Sequence, residues 1–424
     1  MLQLHYIQQN PQEVTERLSV KNFDAKSLID QLLKTDEARR DTQVKLDALL
    51  THSNAVSKEI GMLMGQGKKD EAEKKKAEVS ANKQAISDLE NQKRLLEEQQ
   101  KDLLVKLPNT PNALVPKGKT PDENVNIRGG GAEAKPNKNA KPHWEIAKQF
   151  NLIDFELGVK ITGAGFPVYM GKGAQLQRAL ISFFLEEANL KGYKEIQPPL
   201  MVNADSGFGT GQLPDKEGQM YHVTEDNLYL IPTSEVPVTN IYRDEIVAEK
   251  DLPIKLTAYS QCFRREAGSY GKDVRGLNRL HQFDKVEIVQ IAHPSKSYEI
   301  LDEMVAHVES LVQSLGLTYR IMRLCGGDMS FASALTYDFE VYSPAQDKWL
   351  EVSSVSNFET FQSNRMKLRY RDANNKTQLA HTLNGSALAL PRIVASILET
   401  HQQPDGSIEL PTVLHKFLGW NKID

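Results

Sequence analysis

The 424-residue chain predicts an N-terminal antiparallel two-helix coiled-coil arm followed by an α+β domain built on a mainly antiparallel β-sheet flanked by helices. Three observations carry this expectation. A proline-free stretch rich in Lys, Glu, Gln, Leu and Ala runs from Ala25 to Lys106. A segment rich in Pro, Gly, Asn and Lys follows from Pro108 to Pro142. Beyond Trp144, helix-like and strand-like runs are mixed without strict strand–helix–strand alternation, which disfavours a Rossmann or barrel fold. The expected organisation is an N-terminal domain over residues 1–107, with its helical hairpin at about 25–106, a linker over 108–142 and a second domain over 143–424.

On the first arm Leu28, Leu32, Thr35, Arg39, Thr42, Leu46, Leu49, Ser53, Val56, Ile60 and Leu63 alternate spacings of four and three. After a turn at Gly65, Gln66 and Gly67, the same spacing returns through Val79, Asn82, Ile86, Leu89, Lys93, Leu96, Gln100, Leu103 and Leu107. Arms of about 35 residues at ~1.5 Å per residue extend roughly 50 Å and must project from a body. Lys68, Lys69, Lys74, Lys75 and Lys76 gather near the tip, but acidic residues alternate with them, so charge alone suits a solvated face as well as a phosphate-binding one. The heptads predict shape, and a dimerisation strut is their commoner use.

In the second part, helices are expected at Ala174–Lys191 and Ser297–Leu315, and strands at Asn227–Ile231, Lys285–Ile291, Leu317–Arg323 and Tyr337–Tyr342. Apolar residues at 40% and charged ones at 25% are ordinary for a folded protein. A formal charge of −4, from 52 basic and 56 acidic residues, argues against a sequence-blind polyanion coat. Cys262 and Cys325 form no CxxC or multi-cysteine spacing, so no disulfide framework and no zinc are expected, and a reducing cytosol fits. Met1–Gln12 has no basic residue ahead of an apolar run, and the most apolar window, Ala387–Leu398, is broken by Pro391 and Arg392. Neither a signal peptide nor a membrane span is expected.

The negatives narrow the chemistry. No GxxxxGK[ST] loop, no GxGxxG opening a helix, no GxSxG elbow and no HExxH helix occurs, so a bound nucleotide needs arginines and a metal to hold it. The richest stretch is Cys262–Val289, read as a hairpin around the loop Ala267–Asp273. Alternation along its second strand puts Arg279, His281, Phe283, Lys285 and Glu287 on one face, too polar for a core and suited to lining a cleft; a cross-strand salt-bridge ladder is the alternative. Arginine forks suit carboxylate and phosphate oxygens, and a flat aromatic suits a purine. A second cluster, Trp349–Asn357, offers Glu351 and Ser354 as hard oxygens of the kind that hold Mg²⁺ beside a triphosphate, although a lone strand Glu is more often a surface residue. A third, His381–Arg392, places Arg392 at the start of an apolar helix reaching Leu398, where a core helix with a snorkelling arginine is the plainer alternative.

In this order the three clusters resemble those of class II aminoacyl-tRNA synthetases. Phe263-Arg264-Arg265-Glu266 with the later Arg279 resembles motif 2, Leu388-Ala389-Leu390-Pro391-Arg392 motif 3, and Gly192-Tyr193-Lys194-Glu195-Ile196-Gln197-Pro198-Pro199 motif 1. Cys262–Ser269, Arg279–Glu287, Glu351-Val352-Ser353-Ser354 and Thr382-Leu383-Asn384-Gly385-Ser386 are similar to the seryl-tRNA synthetase family, and the N-terminal hairpin belongs to the same resemblance.

The resemblance implies a class II catalytic domain that activates L-serine with ATP and Mg²⁺ and transfers it to serine tRNA and selenocysteine tRNA, in a cytoplasmic homodimer. It implies catalytic roles for Arg264, Glu266 and Arg392: Arg264 holds the α-phosphate and the serine carboxylate, Glu266 contacts adenine and Arg392 takes the γ-phosphate. Phe283 stacks on adenine, and Arg265, Arg279, Val352 and Ser353 complete the ATP site. Glu351 and Ser354 bind metal and ATP. Thr233, Glu235, Glu287, Asn384 and Ser386 form the serine pocket, with Glu287 taking the ammonium and hydroxyl. The family reads the long variable arm of its tRNA with the hairpin, and the five lysines near the tip, Lys68, Lys69, Lys74, Lys75 and Lys76, are candidate phosphate contacts. The sequence departs from the family pattern at Ala387, Pro391, Val355 and Asn364, and in Gly163–Tyr169, which lacks an arginine often found there. Two other readings use the same features: a paralogue that activates an amino acid without charging tRNA, and a non-enzymatic coiled-coil RNA-binding scaffold, which leaves the polar face of Arg279–Glu287 unexplained.

Overall fold

A computed structural model describes residues 1–215, 218–266 and 275–424. The loop expected at Ala267–Asp273 lies outside the described residues, as do Gly268 and Ser269 of the motif. The chain forms two compact units, one of Met1–Ser19 with Phe23–Pro108 and the other of Val20–Asn22 with Asn109–Asp424.

In the first unit, α1 (Lys26–Gly65) and α2 (Lys69–Lys106) are the two arms, 40 and 38 residues long. Gly67 at φ +77° makes the turn between them, a conformation that costs glycine least. Leu32, Thr35, Thr42, Leu46 and Val56 are buried on α1. On α2, Val79, Asn82, Ile86, Leu89, Lys93, Leu96 and Gln100 are half-covered at the heptad spacing, as two helices alone allow, and Leu103 is buried. One position falls outside the expected seam. Asp36 is fully buried, accepting hydrogen bonds from Gln8 (2.5 Å) and Gln100 (2.8 Å) and pairing with Arg39 (3.0 Å) and Arg40 (2.9 Å). Heptads describe two helices, whereas here the short helix Leu4–Gln9 adds a third surface.

The second unit is organised by an eight-stranded sheet of β1 (Val125–Gly130), β2 (Lys194–Glu195), β3 (Ile254–Phe263), β4 (Gln282–Ala292), β5 (Tyr319–Arg323), β6 (Leu335–Ser343), β7 (Lys348–Asn357) and β8 (His381–Ala389). Their order is β1-β5-β6-β7-β8-β4-β3-β2. Every pairing is antiparallel except that of the two-residue edge strand β2 with β3. Helices α3 (Gly171–Leu190), α4 (Ser297–Ser314) and α5 (Leu390–Thr400) pack on it through residues spaced three and four apart: Leu176, Leu180 and Phe183–Phe184 on α3, Leu301, Met304, Val308 and Leu311 on α4, Ile393, Val394 and Ile397 on α5. Each fully buried large side chain of this core, Phe184 and Phe339 among them, contributes roughly 1.5–3 kcal/mol.

The sheet and helices follow expectation; two local readings are corrected. The segment read as a linker over 108–142 is tied down: β1 pairs with β5 from Val125 to Gly130, and the Asn109 amide side chain donates to the carbonyls of Ala332 (2.9 Å) and Phe358 (2.8 Å). Its Gly and Asn content suggested mobility, but Gly129 and Gly130 fit close against the Tyr319 backbone and ring, where a Cβ would come within 2.5 and 2.8 Å. The second correction concerns the polar face. The β3–β4 ladder begins at Gln282 opposite Phe263, so two-residue alternation holds for Phe283, Lys285 and Glu287 and does not extend to Arg279 or His281. The His281 ring instead stacks on Phe166 and bonds the Tyr221 hydroxyl (2.9 Å). Among the described residues no helix is long and apolar enough to cross a membrane.

Candidate active site

Antiparallel pairing of β3, β4, β8 and β7 gathers the three sequence clusters at the centre of the sheet. Glu287 lies opposite Ala258 on β3 and Ser386 on β8, and Val355 on β7 lies opposite Gly385. The β4–β8 register slips between Lys285 and Glu287, a bulge that re-aims side chains where polar groups meet.

Around Glu287 the structure gathers a cluster of buried polar side chains. Thr233, Glu235, Lys285, Glu287, Asn384 and Ser386 are each at most 8% exposed. Thr233 Oγ1 accepts from Lys285 Nζ (2.8 Å) and from the Glu235 amide (3.2 Å), and donates to Glu287 Oε2 (3.1 Å), while Lys285 Nζ pairs with Glu287 Oε2 at 2.5 Å. Gln362 donates to Glu235 Oε1 (2.6 Å) and accepts from the Thr382 hydroxyl (2.6 Å). Burial pushes the Glu235 carboxyl up to about 7, the charge of Glu287 adds to the rise, and Gln362 and Lys285 oppose it. Asn384 Nδ2 is buried close enough to Glu235 to favour its charge, but makes no hydrogen bond of good geometry. The cluster thus sets two carboxyls and an incompletely bonded amide against a single ammonium, a set that suits a small ligand carrying a positive charge and a hydroxyl.

Beside it lie the arginines. The Arg264 guanidinium sits 5.3 Å from the Phe283 ring centroid, and its Nε donates to the Pro232 carbonyl (3.4 Å). The Arg265 amide donates to the Gln219 carbonyl (2.8 Å), and Arg279 forms an ion pair with Glu266. Arg392, in the first turn of α5, donates through Nε to the Asn278 carbonyl (3.0 Å) and through Nη1 to the Glu351 carbonyl (2.6 Å), with Glu351 Oε2 at 3.7 Å. On β7, Ser353 donates to the Ser386 carbonyl, and Ser354 stands opposite Asp338 of β6. Val352 is buried in the core. The Asp338 carboxyl is buried with Oδ1 unpartnered, and it is raised well above the usual carboxylate range by burial first and then by the charge of Glu351.

Sequence reasoning missed three of these groups. Lys285 stood on the polar strand without a role, and its residue type was the available signal. Asp338 stood in a run read only as a strand. Gln362 belongs to no motif and meets Glu235 across 127 residues of chain. In the first unit, Lys75 pairs with Glu59 (3.2 Å) and Glu78 (3.4 Å), Lys76 with Glu73 (2.5 Å) and Lys68 with Glu71 (3.8 Å); Lys69 and Lys74 are exposed with no carboxylate in ion-pair range among the described residues.

An antiparallel sheet that gathers arginines from a strand hairpin and from a helix start is the core of a class II tRNA synthetase. Residues 221–401 match the tRNA synthetase class II core domain (G, H, P, S and T), and residues 1–111 match the seryl-tRNA synthetase N-terminal domain. A serine–tRNA ligase of Salinibacter ruber is 49% identical over 100% of this chain and 99% of its own. Seryl-tRNA synthetase from Pyrococcus horikoshii, solved in complex with ATP, is 33% identical with a TM-score of 0.91, covering 100% of this chain and 99% of that one. The cytoplasmic serine–tRNA ligase of Naegleria fowleri, solved with AMP, is 26% identical with a TM-score of 0.87 over 98% and 96% of the two chains. The chain belongs to the seryl-tRNA synthetase family, as its motifs led one to expect.

Proposed function

We propose that the chain activates L-serine with ATP in the cytoplasm, releasing pyrophosphate, and transfers the seryl group to the 3′ end of serine tRNA and of selenocysteine tRNA. Its family membership supports the reaction. The observation that carries the choice of serine is the buried polar cluster of Thr233, Glu235, Glu287, Asn384 and Ser386, whose carboxyls meet an ammonium and whose amide and hydroxyl meet a side-chain hydroxyl. Alanine leaves those groups unpaired, which can discriminate by about 10⁴, whereas threonine is refused for lack of room.

In this reading Arg264 brings the serine carboxylate to the α-phosphorus of ATP. A carboxylate oxygen bonds to phosphorus, the bond to the bridging oxygen breaks, and pyrophosphate leaves. Arg264 and Arg392 screen the converging anions, with Arg265 and Arg279 beside them. Phe283 and Glu266 receive adenine, and Val352 and Ser353 shape the floor below it. Asp338, Glu351 and Ser354 fit a Mg²⁺ that arrives with ATP: hard oxygens, an Asp338 carboxyl whose proton affinity is raised by burial and then by the Glu351 charge, and one buried oxygen without a partner. Such an ion, when bound, neutralises phosphate charge.

Pyrophosphate exchange into ATP, measured with each amino acid in turn, tests the reading. Serine alone should support rapid exchange, and equal exchange with alanine or threonine overturns it. Arg264→Ala should abolish exchange in a folded protein, a loss of about 3 kcal/mol or more of transition-state stabilisation.

A further inference from the structure

Behind the arginines runs a buried network that the proposed reaction does not use. His143 opens the short helix His143–Gln149 and is fully buried; Glu399, in the last turn of α5, is 1% exposed. The Glu399 carboxylate accepts from His143 Nδ1 (2.7 Å), the His143 backbone N–H (3.0 Å), Gln346 Nε2 (2.9 Å) and the Ser343 hydroxyl. His143 Nε2 accepts from the backbone N–H of Leu277 (2.8 Å), so the imidazole is neutral and carries its proton on Nδ1. No Lys or Arg among the described residues pairs with Glu399.

These contacts converge on one turn, Arg275–Asn278, which leads into β4. Gly276 holds φ +66°, and a Cβ there would stand 2.2 Å from His143 Nε2. Arg275 lies 4.6 Å over the Trp144 ring, and the Asn278 side chain donates to Gln346 Oε1 (2.9 Å). The carbonyl of Asn278 is the acceptor of Arg392 Nε (3.0 Å). Helix α5 therefore grips the same turn at both ends, through Arg392 at its start and through Glu399 and His143 two helical turns later. A core position selected for stability alone takes an apolar side chain, because a buried carboxylate without a formal cation is costly to desolvate.

We propose that His143 and Glu399 are positioning residues for Arg392, holding the Arg275–Asn278 turn so that the Asn278 carbonyl aims the guanidinium at ATP. The inference rests on the reading of Arg392 as a phosphate contact. Groups that orient a contacting residue typically change affinity by 10–100-fold when removed, and an ångström of misplacement is enough to do so.

The test is a double-mutant cycle on ATP affinity by calorimetry, with KM values for ATP and serine from pyrophosphate exchange. In His143→Asn the side chain still donates toward Glu399 but no longer reaches the Leu277 N–H. It should weaken ATP binding at least tenfold while leaving KM for serine within twofold. His143→Gln, whose amide oxygen reaches the place of Nε2, should restore most of the loss. In an Arg392→Ala background His143→Asn should cost no more than a further twofold, since its effect passes through Arg392. If His143→Asn does not fold, Gln346→Ala carries the same test from a half-exposed position. A loss that adds fully to that of Arg392→Ala, or that falls equally on serine, overturns the inference. Normal ATP binding in His143→Asn beside weakened binding in Arg392→Ala overturns it while sparing the reading of Arg392. Unchanged ATP binding in Arg392→Ala removes both.

Discussion

Glu235 decides how the proposed serine pocket responds to pH. Its carboxyl is raised to about 7 by burial and by Glu287, above the usual carboxylate range. A carboxyl whose folded-state pKa is raised contributes stability that is full below the unfolded value near 4.5 and is lost as pH rises through about 7. Binding an ammonium reverses the preference, because the added positive charge favours ionised Glu235. Serine binding should therefore release a proton between about pH 5 and 7, with affinity falling up to tenfold per pH unit below about 7. Calorimetry in buffers of different ionisation enthalpy reads the proton directly, and Glu235→Gln should flatten the dependence. An unchanged slope in that variant would show that another group titrates. Arg264, Glu287 and Arg392 were legible from residue type and motif. Lys285 and Gln362 were not, because a lysine on a polar strand or a glutamine on a short helix acquires meaning only from the carboxylate it meets.

Within the arm, one element depends on a single buried polar residue. Asp36 joins α1 to α2 through Gln100 and to the helix Leu4–Gln9 through Gln8. Asp36→Ala leaves these amides and Arg39 and Arg40 without their acceptor, a cost of about 2 kcal/mol. Amides near Asp36 on α1 and near Gln100 on α2 should then exchange with solvent roughly 30-fold faster, with the exchange of β4 and β8 unchanged; equal protection in the variant would mean that packing of Leu32, Leu103 and Leu104 suffices. The heptads located both helices and the turn at Gly67. They put Arg39 in the seam and left Asp36 out of it, since a two-helix pattern carries no sign of a third.

Three predictions belong to the whole molecule. Replacing Ser27–Lys106 by a short linker should leave serine-dependent pyrophosphate exchange nearly normal and collapse transfer to serine tRNA, because helices of about 60 Å reach a distant part of a nucleic acid by shape and backbone. Neutral substitutions at Lys68, Lys69, Lys74, Lys75 and Lys76 should weaken tRNA binding and flatten its salt dependence, most of all at Lys69 and Lys74, which form no ion pair among the described residues. Efficient charging by the truncated enzyme would make the arm a strut. We also expect a homodimer through the motif 1 region, which is flanked by Leu190 and Met201, large apolar residues about half exposed or more. Sedimentation at micromolar concentration should give about twice the 47.7 kDa chain mass, and a fully active monomer contradicts it.

Periodicity and turn residues by themselves determined the element types: the heptad arms, the amphipathic α3 and α4 and the β3–β4 hairpin follow from which face of each segment is apolar, while the motif arginines were legible from the resemblance of their motifs to those of class II synthetases. The tertiary structure alone decided which distant polar groups meet. Strand order β1-β5-β6-β7-β8-β4-β3-β2 sets Glu287 beside Ser386, brings Gln362 to Glu235 across 127 residues and closes His143 on Glu399 across 256. The physical reason is that burial is written locally, as a repeat along one segment. A hydrogen bond between segments depends on register and direction, which arise only when the sheet is assembled.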